Sequence, residues 1–530
     1  MEVFLLVSAL VGFLVLIYRY ATAYADYFDQ RGIKYRKPTF LLGNLGPIIF
    51  QRTTPTANLT ELYRQFSGEK AYGFFEFRRP TIILRDLELI KRVFIKDFDH
   101  FVNHTAPIDE QMDSILGNGL ISLKGQKWKD MRTMLSPMFT GNKIRHMVPL
   151  VGKCAEDLCR FVDKKQKVGG EMVEWDVREL LAKCLVEVIG SCAFGIEVDS
   201  FDDPDNEFDR AAKYLMSQSD IRKVVRFLLI MVLPKVCKLF GMELFDEKYK
   251  RLFRRLVSET MKARERDGTS RPDLVQLLMQ AKRGKLSVEN DTAEDSFSAA
   301  KDHFESGSGT AKSNWSDEEL TAQAVLFFAA GFDTTSTLLS FTLVELALSP
   351  EIQDRLIAEI DSVDEPFTEV TYEQIQKLRY LDAVISESLR KWPPLPATDR
   401  KCVKDYVLNN PEDDSPMFEI EQDRTVWIPI YCFHHDPKYF PNPERFDPER
   451  FNDSNRQQLN QAAYMPFGVG PRNCIGSRFA LMSAKMILFR LLQSYRVDVC
   501  PKTDTKMELS KTKMNMTMDK GHWVYLQNRK

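Results

Sequence analysis

The chain has 530 residues, 44% of them hydrophobic and 28% charged, a globular balance that excludes an intrinsically disordered chain. A formal net charge of -2 lacks the basic excess of a nucleic-acid binder, so no nucleic-acid partner is expected. The nine cysteines are scattered without a C-x-x-C pair and the seven histidines without H-E-x-x-H, which excludes a zinc site and predicts reduced thiols rather than a disulfide framework.

Val3 to Tyr18 is apolar and uncharged. As a helix it would span roughly 24 Å, slightly short of a hydrocarbon core of ~30 Å, and Tyr18, Tyr20 and Tyr24 extend it into the interface. Ala21-Thr22-Ala23 has the small-x-small form of a cleavage site, but only Glu2 precedes the run and no positive charge does. Arg19, Arg31, Lys34, Arg36 and Lys37 all follow it, which places the body on the cytosolic side. Residues 1–24 therefore read as a transmembrane signal anchor. Residues 25–50, with Pro38 and Pro47 flanking Leu41-Leu42-Gly43, read as a linker or hinge, and 51–530 as one folded domain.

From Tyr72 to Leu84 the pattern predicts a hairpin of a small sheet, and Asp86 to Phe94 a helix. Phe101 to Leu123, with Gly117 and Gly119, is irregular. Trp128 and Arg132 are four apart and share a helix face, where an indole N–H and a guanidinium suit a carboxylate. Lys124, Lys127, Lys129, Lys143 and Arg145 make this neighbourhood positive, either to dock an acidic protein partner or as a solvated face. Amphipathic helices are expected over Val173–Phe194 and Phe208–Ser219. Val224 to Met242 is apolar but cut by Pro234, too short to span a bilayer, and either lies on a membrane surface or packs as a core helix. Residues 284–314 are polar and charged with few aromatics, and read as a surface linker.

Ser316-Asp317-Glu318-Glu319 is a capping box opening a helix that runs to Ser349 before Pro350. That is roughly 33 residues, or about 50 Å. At its centre stands Ala329-Ala330-Gly331-Phe332-Asp333-Thr334-Thr335, where Ala330 and Gly331 leave space over a flat group. Thr334 can bond a small oxygen ligand or bond back to its own helix, with Asp333 beside it as a proton route. Thr371 to Gln374 caps a further helix that carries Glu387 and Arg390 at i,i+3. Pro393-Pro394-Leu395-Pro396 must leave helical geometry, Arg400 follows, and Val426 to Phe433 is strand-like. P-E-R-F occurs twice, at Pro443–Phe446 and Pro448–Phe451.

The last motif is Pro466-Phe467-Gly468-Val469-Gly470-Pro471-Arg472-Asn473-Cys474-Ile475-Gly476, a rigid loop just ahead of an apolar helix-forming run, Ser477 to Leu492. A cysteine there meets backbone N–H groups and a helix dipole that favour a thiolate, Phe467 can shield the sulfur, and Arg472 offers a fork to a carboxylate. With W-x-x-x-R, A-G-x-D-T, E-x-x-R and P-E-R-F in order before it, F-x-x-G-x-R-x-C-x-G resembles the haem loop of the cytochrome P450 superfamily. The finer likeness is to microsomal animal members, insect ones of the xenobiotic-metabolising kind.

The resemblance implies a mainly α fold with a small β-rich region around one iron protoporphyrin haem, and makes 51–530 the catalytic domain. It makes Cys474 the axial ligand of the haem iron, with Phe467 and Gly476 in the same loop. Trp128, Arg132, Arg400 and Arg472 would hold propionates, and Thr334 and Asp333 would deliver protons. Glu387 and Arg390 would form a buried structural triad with a second arginine, for which Arg445 and Arg450 are rivals and the family spacing to the cysteine favours Arg450. Ile108, Met112, Ile115, Leu120, Phe327, Ala330, Leu395 and Met516 would line the pocket, the last in a turn with Met514, Asn515 and Thr517. The implied activity is insertion of one oxygen atom of O2 into a lipophilic substrate. Electrons would come from NADPH through a flavoprotein reductase, or from a small cytochrome, at the endoplasmic reticulum membrane. The alternatives are a reductase-independent isomerase or dehydratase, and a non-enzymatic haem sensor.

Overall fold

A computed structural model describes residues 1–105, 108–170, 173–203, 206–216, 221–271, 273–282, 315–513 and 515–529. The linker expected at 284–314, the end of the Phe208–Ser219 helix and Met514 lie outside the described residues. Contacts divide the chain into two units, one of residues 1–105 with 396–433, the other of 106–395 with 434–530.

The first unit holds most of the β structure. Strands β1 (Ala71–Glu76) and β2 (Arg79–Leu84) form the expected hairpin, pairing Ala71 with Leu84. With β3 (Glu174–Asp176) in the other unit, the later strands are β4 (Thr398–Lys401), β5 (Tyr406–Asn409), β6 (Pro416–Ile420) and β7 (Thr425–Ile428). One sheet has the order β1-β2-β7-β4, and β5 pairs only with β6. The strand expected to reach Phe433 stops at Ile428, because Pro429 offers no N–H to a ladder; a helical turn, Ile430–His434, follows. Residues of the 25–50 segment hydrogen-bond to β1. The Gly73 N–H donates to Lys34 O (2.8 Å), the Asn44 N–H to Phe75 O (2.8 Å), and the Phe75 N–H to Asn44 Oδ1 (2.7 Å). Gly43 sits at φ 62° with Phe75 O only 2.2 Å from where a Cβ would be, so no side chain fits there. The N-terminal helix, Glu2–Thr22, has no buried residue.

The second unit is helical, with a three-stranded sheet of β3, β9 (Trp523–Asn528) and β8 (Tyr495–Asp498) in that order. The expected helix over 173–194 begins only at Val177, since Glu174–Asp176 pair with β9; Asp176 caps it and it runs to Ile189. At the centre is Asp317–Leu348. It packs against Val177–Ile189, Glu247–Asp267, Arg379–Lys391 and Ser477–Ser494. The last of these packs on Gly141–Gly169. The capping box closes as read: the Glu319 N–H donates to Ser316 Oγ (3.2 Å) and the Ser316 N–H to Glu319 Oε2 (2.8 Å). Phe328 and Phe332, one turn apart, anchor the buried side; Phe328 meets Phe208 at 5.6 Å and Phe253 at 5.3 Å between ring centres. Each such ring contributes about 1.5–3 kcal/mol by leaving water. The single helix expected from Thr371 through Arg390 is two, Tyr372–Lys377 and Arg379–Lys391, broken at Leu378, whose backbone is extended.

Candidate functional site

The cysteine loop is shaped by its glycines. Gly468 and Gly470 adopt φ of 76° and 73°, which other residues rarely reach. The Gly468 N–H donates to Met465 O (3.0 Å), the Asn473 N–H to Gly470 O (3.0 Å) and the Cys474 N–H to Phe467 O (2.9 Å). Gly476 then caps the helix Ser477–Ser494. Eight cysteines are buried; Cys474 is exposed.

The helix Gly125–Leu135 holds this loop from the side. Arg132, buried, donates from Nη1 to Asn473 O (2.9 Å) and from Nη2 to Asn473 Oδ1 (2.8 Å). Arg472, also buried, lies with its guanidinium carbon 4.0 Å from the centre of the Trp128 ring. The fork of Arg472, expected to face a carboxylate, gives Nη1 to Leu120 O (3.2 Å) and Nη2 to Leu123 O (2.6 Å). The reason is local: these carbonyls lie in an irregular stretch and need donors from outside it. The same stretch is tied to the long helix through Gln323, whose Oε1 accepts from the Leu120 N–H (2.9 Å) and whose Nε2 donates to Asn118 O (2.7 Å).

Opposite its phenylalanine anchors, the long helix opens. Phe327 and Thr334 are half-buried and Ala330 is exposed, in a helix otherwise largely buried from Leu320 to Ala347. Their spacing of three and four puts them on one face. Gly331, expected to leave space beside Ala330, lies against Ile189 instead: a Cβ on it would be 2.6 Å from Ile189 Cδ1. Thr334 Oγ1 donates to Ala330 O (2.7 Å), so the hydroxyl bonds back to its own helix, which continues without a break. Phe139 stands between this face and the cysteine loop. Its ring centre is 5.3 Å from that of Phe327, and a Cβ on Gly476 would lie 3.7 Å from its Cε1. Asp333 faces away from bulk water, its Oδ1 accepting from Arg178 Nη2 (2.9 Å) and its Oδ2 from Asn515 Nδ2 (2.9 Å). Burial raises the carboxyl above its ordinary range and the Arg178 charge opposes that; burial likewise lowers Arg178.

An exposed thiol, a stripe of small residues one phenylalanine away, and two buried guanidiniums beside the loop form a donor set that fits a flat, anionic, metal-bearing group.

The family model described as Cytochrome P450 matches residues 34–524. The chain belongs to the cytochrome P450 family. It is 42% identical to Cytochrome P450 9e2 of Blattella germanica, covering 98% of this chain and 97% of that one. It is 37% identical to Probable cytochrome P450 9f2 of Drosophila melanogaster (97% of both) and 32% to Cytochrome P450 6j1 of Blattella germanica (97% and 95%). These relatives are insect proteins, as the sequence resemblance implied. This cytochrome P450 is a haem-thiolate monooxygenase, with haem as its cofactor.

In this P450, Glu387 and Arg390 are fully buried and bonded twice, Nε to Oε2 and Nη2 to Oε1, both at 2.8 Å. Arg450 Nε lies 3.5 Å from Glu387 Oε1, and the Asp447 N–H donates to the same oxygen (2.9 Å). Arg445 is exposed and lends only its carbonyl to Arg390. Burial raises the Glu387 carboxyl, with Arg390 the main opposing charge.

Arg400, in the other unit, is fully buried on β4, donates from Nη1 to Asp399 O (2.6 Å) and lies over Phe94 at 4.7 Å. Burial pulls its pKa down to about 10.

Of the residues expected to line the pocket, Ile108 and Met112 pack with Ile230 and Cys237, while Ile115, Leu120 and Met516 are buried and Leu395 is exposed. The carbonyl of Met516 accepts from Arg178 Nη1 (3.1 Å). Sequence reasoning missed Arg178, Gln323, Phe139 and His434, and placed Asn515 in the pocket turn without its bond to Asp333. Each acts through a long-range contact; only Gln323 carried a local signal, as a polar residue inside an apolar helical run.

Proposed function

We propose that this cytochrome P450 inserts one oxygen atom of O2 into a small lipophilic substrate, using NADPH electrons delivered by a membrane-bound flavoprotein reductase, with a small cytochrome as a second donor. The observation that carries this reading is the open stripe Phe327, Ala330 and Thr334, one phenylalanine from the loop that exposes Cys474. A haem bound through Cys474 supplies the activation of dioxygen, and its thiolate ligand favours O–O cleavage. Arg132 and Arg472 hold the loop and, with Trp128, would offer positive charge and an N–H donor to the propionates. Thr334 presents a hydroxyl on the open face. Its proton, given to Ala330 O at rest, can turn toward the open face. Asp333 resupplies that proton, with Arg178 and Asn515 fixing its carboxylate. Phe327 and Ala330 give the substrate an apolar wall, and Glu387, Arg390 and Arg450 keep the loop's supporting helix in place.

The helix Glu2–Thr22, with a mean hydropathy of 2.2 over its most apolar stretch and no buried residue, supports residues 1–24 as the anchor. Arg19 at its end supports a body on the cytosolic face of the endoplasmic reticulum. Near the loop, Lys127 pairs with Glu110 and Glu319, and Arg145 with Glu373; the local excess of positive side chains, Lys124, Lys127, Lys129, Lys143 and Arg145, is the feature that would attract an acidic donor. The test is turnover of a panel of lipophiles by the haem-loaded protein. Product that needs both NADPH and reductase supports the proposal; turnover of organic peroxides without either overturns it in favour of an isomerase or dehydratase.

A further inference from the structure

His434 is fully buried and has no place in the chemistry described so far. Its Nδ1 lies 3.0 Å from the carbonyl oxygen of Arg390, and its Nε2 accepts from the N–H of Met465 at 3.0 Å. A carbonyl can only accept and a backbone N–H can only donate, so these partners fix the tautomer: the proton sits on Nδ1 and Nε2 is bare. Protonation would set one N–H against another, and burial, aided by the charge of Arg390, holds the imidazole well below its ordinary pKa. Arg390 returns the contact, donating from Nη1 to His434 O (2.9 Å).

The contact lies at a sensitive place. Met465 opens the cysteine loop: its carbonyl accepts from Gly468, and two residues on, Phe467 O accepts from the Cys474 N–H. The neighbouring Tyr464 stacks on His434 at 5.6 Å between ring centres and donates its hydroxyl to Ser386 O (3.0 Å). One imidazole therefore joins the end of the triad helix to the first residue of the loop, with a donor at one edge and an acceptor at the other.

We infer that His434 is a positioning residue for the thiolate loop: as a neutral Nδ1–H imidazole it fixes Met465 against the Arg390 carbonyl and so sets where Cys474 presents its sulfur. This rests on Cys474 being the haem ligand. No apolar side chain can replace the bridge, whereas a glutamine amide, which also carries a donor and an acceptor, can in part.

The experiment compares wild type with His434→Phe, His434→Gln and His434→Asn, and with His522→Phe, which removes another fully buried histidine, as the control. Two readouts are taken on the haem-loaded proteins: the fraction of the carbon-monoxide complex with a thiolate-type red-shifted Soret band, and hydrogen exchange in peptides covering Met465 to Cys474. His434→Phe is expected to lose most of the thiolate-type fraction and to speed exchange in those peptides by about tenfold, the effect of one lost hydrogen bond. His434→Gln should recover most of both, and His522→Phe should change neither. If His434→Phe does not fold, His434→Asn, too short to reach both partners, should fall between wild type and loss. Wild-type values for whichever of these two variants folds, or the same losses in His522→Phe, would overturn the inference. A wild-type protein without a thiolate signature would instead overturn the ligand assignment.

Discussion

Arg178→Met removes the cation that faces Asp333 while leaving Asn515 on the other carboxylate oxygen. Breaking a dry ion pair from one side costs about 3–5 kcal/mol. Here the two side chains retain 12% and 23% of their exposure, so about 2–3 kcal/mol is expected at neutral pH. The sign of the pH dependence follows from Asp333. Its folded carboxyl is already raised, because burial outweighs Arg178. Without Arg178 it rises further, so the folded state holds a proton that the unfolded state has released. The deficit relative to wild type is therefore small in acid, grows as pH climbs from the wild type's raised folded pKa through the still higher pKa of the variant, and then levels off. The assay is the midpoint of thermal unfolding by far-UV circular dichroism at pH 5 and pH 8, for wild type, Arg178→Met and Arg178→Met/Asp333→Asn. The single variant should fall further behind wild type at pH 8, and the double variant should lose that difference. A deficit equal at both pH values, or one that survives in the double variant, would refute the account of Asp333 as a buried carboxylate held by Arg178.

Thr334→Ala should keep haem and the thiolate spectrum but form less product per NADPH consumed, and undiminished coupling would remove the hydroxyl from the proton path. Gly331→Ala sets a Cβ 2.6 Å from Ile189 Cδ1, so it should cost about 1–3 kcal/mol in thermal stability, most of it restored by adding Ile189→Val. Arg390→Leu leaves the fully buried Glu387 without its bidentate partner, a loss of about 3–5 kcal/mol, and should give little folded holoprotein on expression. Full yield from that variant would show that the pair is dispensable.

The features legible in the sequence were those written locally. The Ser316–Glu319 box, the apolar run behind it and the stop at Pro350 fix the long helix within a residue, because capping and periodicity act over a few positions. The β1–β2 hairpin was equally plain. What failed depended on a neighbour or on the backbone: Leu378 breaks a helix whose pattern continues across it, and Asp176 begins a helix late because β9 claims the residues before it. At the site, the spacing of Trp128 and Arg132 correctly placed them on one face. Nothing local told that Arg472 would turn to Leu120 and Leu123, or that Asp333 would meet Arg178, 155 positions away. Ion pairs and hydrogen bonds of that reach are selected by the assembled fold and leave no periodic trace in the chain.

The most direct measurement is the absorption spectrum of the purified, haem-loaded protein after reduction and exposure to carbon monoxide. A strongly red-shifted Soret band in the wild type, absent from Cys474→Ser, is the predicted result; an unshifted band in properly folded wild-type protein, or a shifted one that survives in Cys474→Ser, would contradict the assignment of Cys474 as the iron ligand.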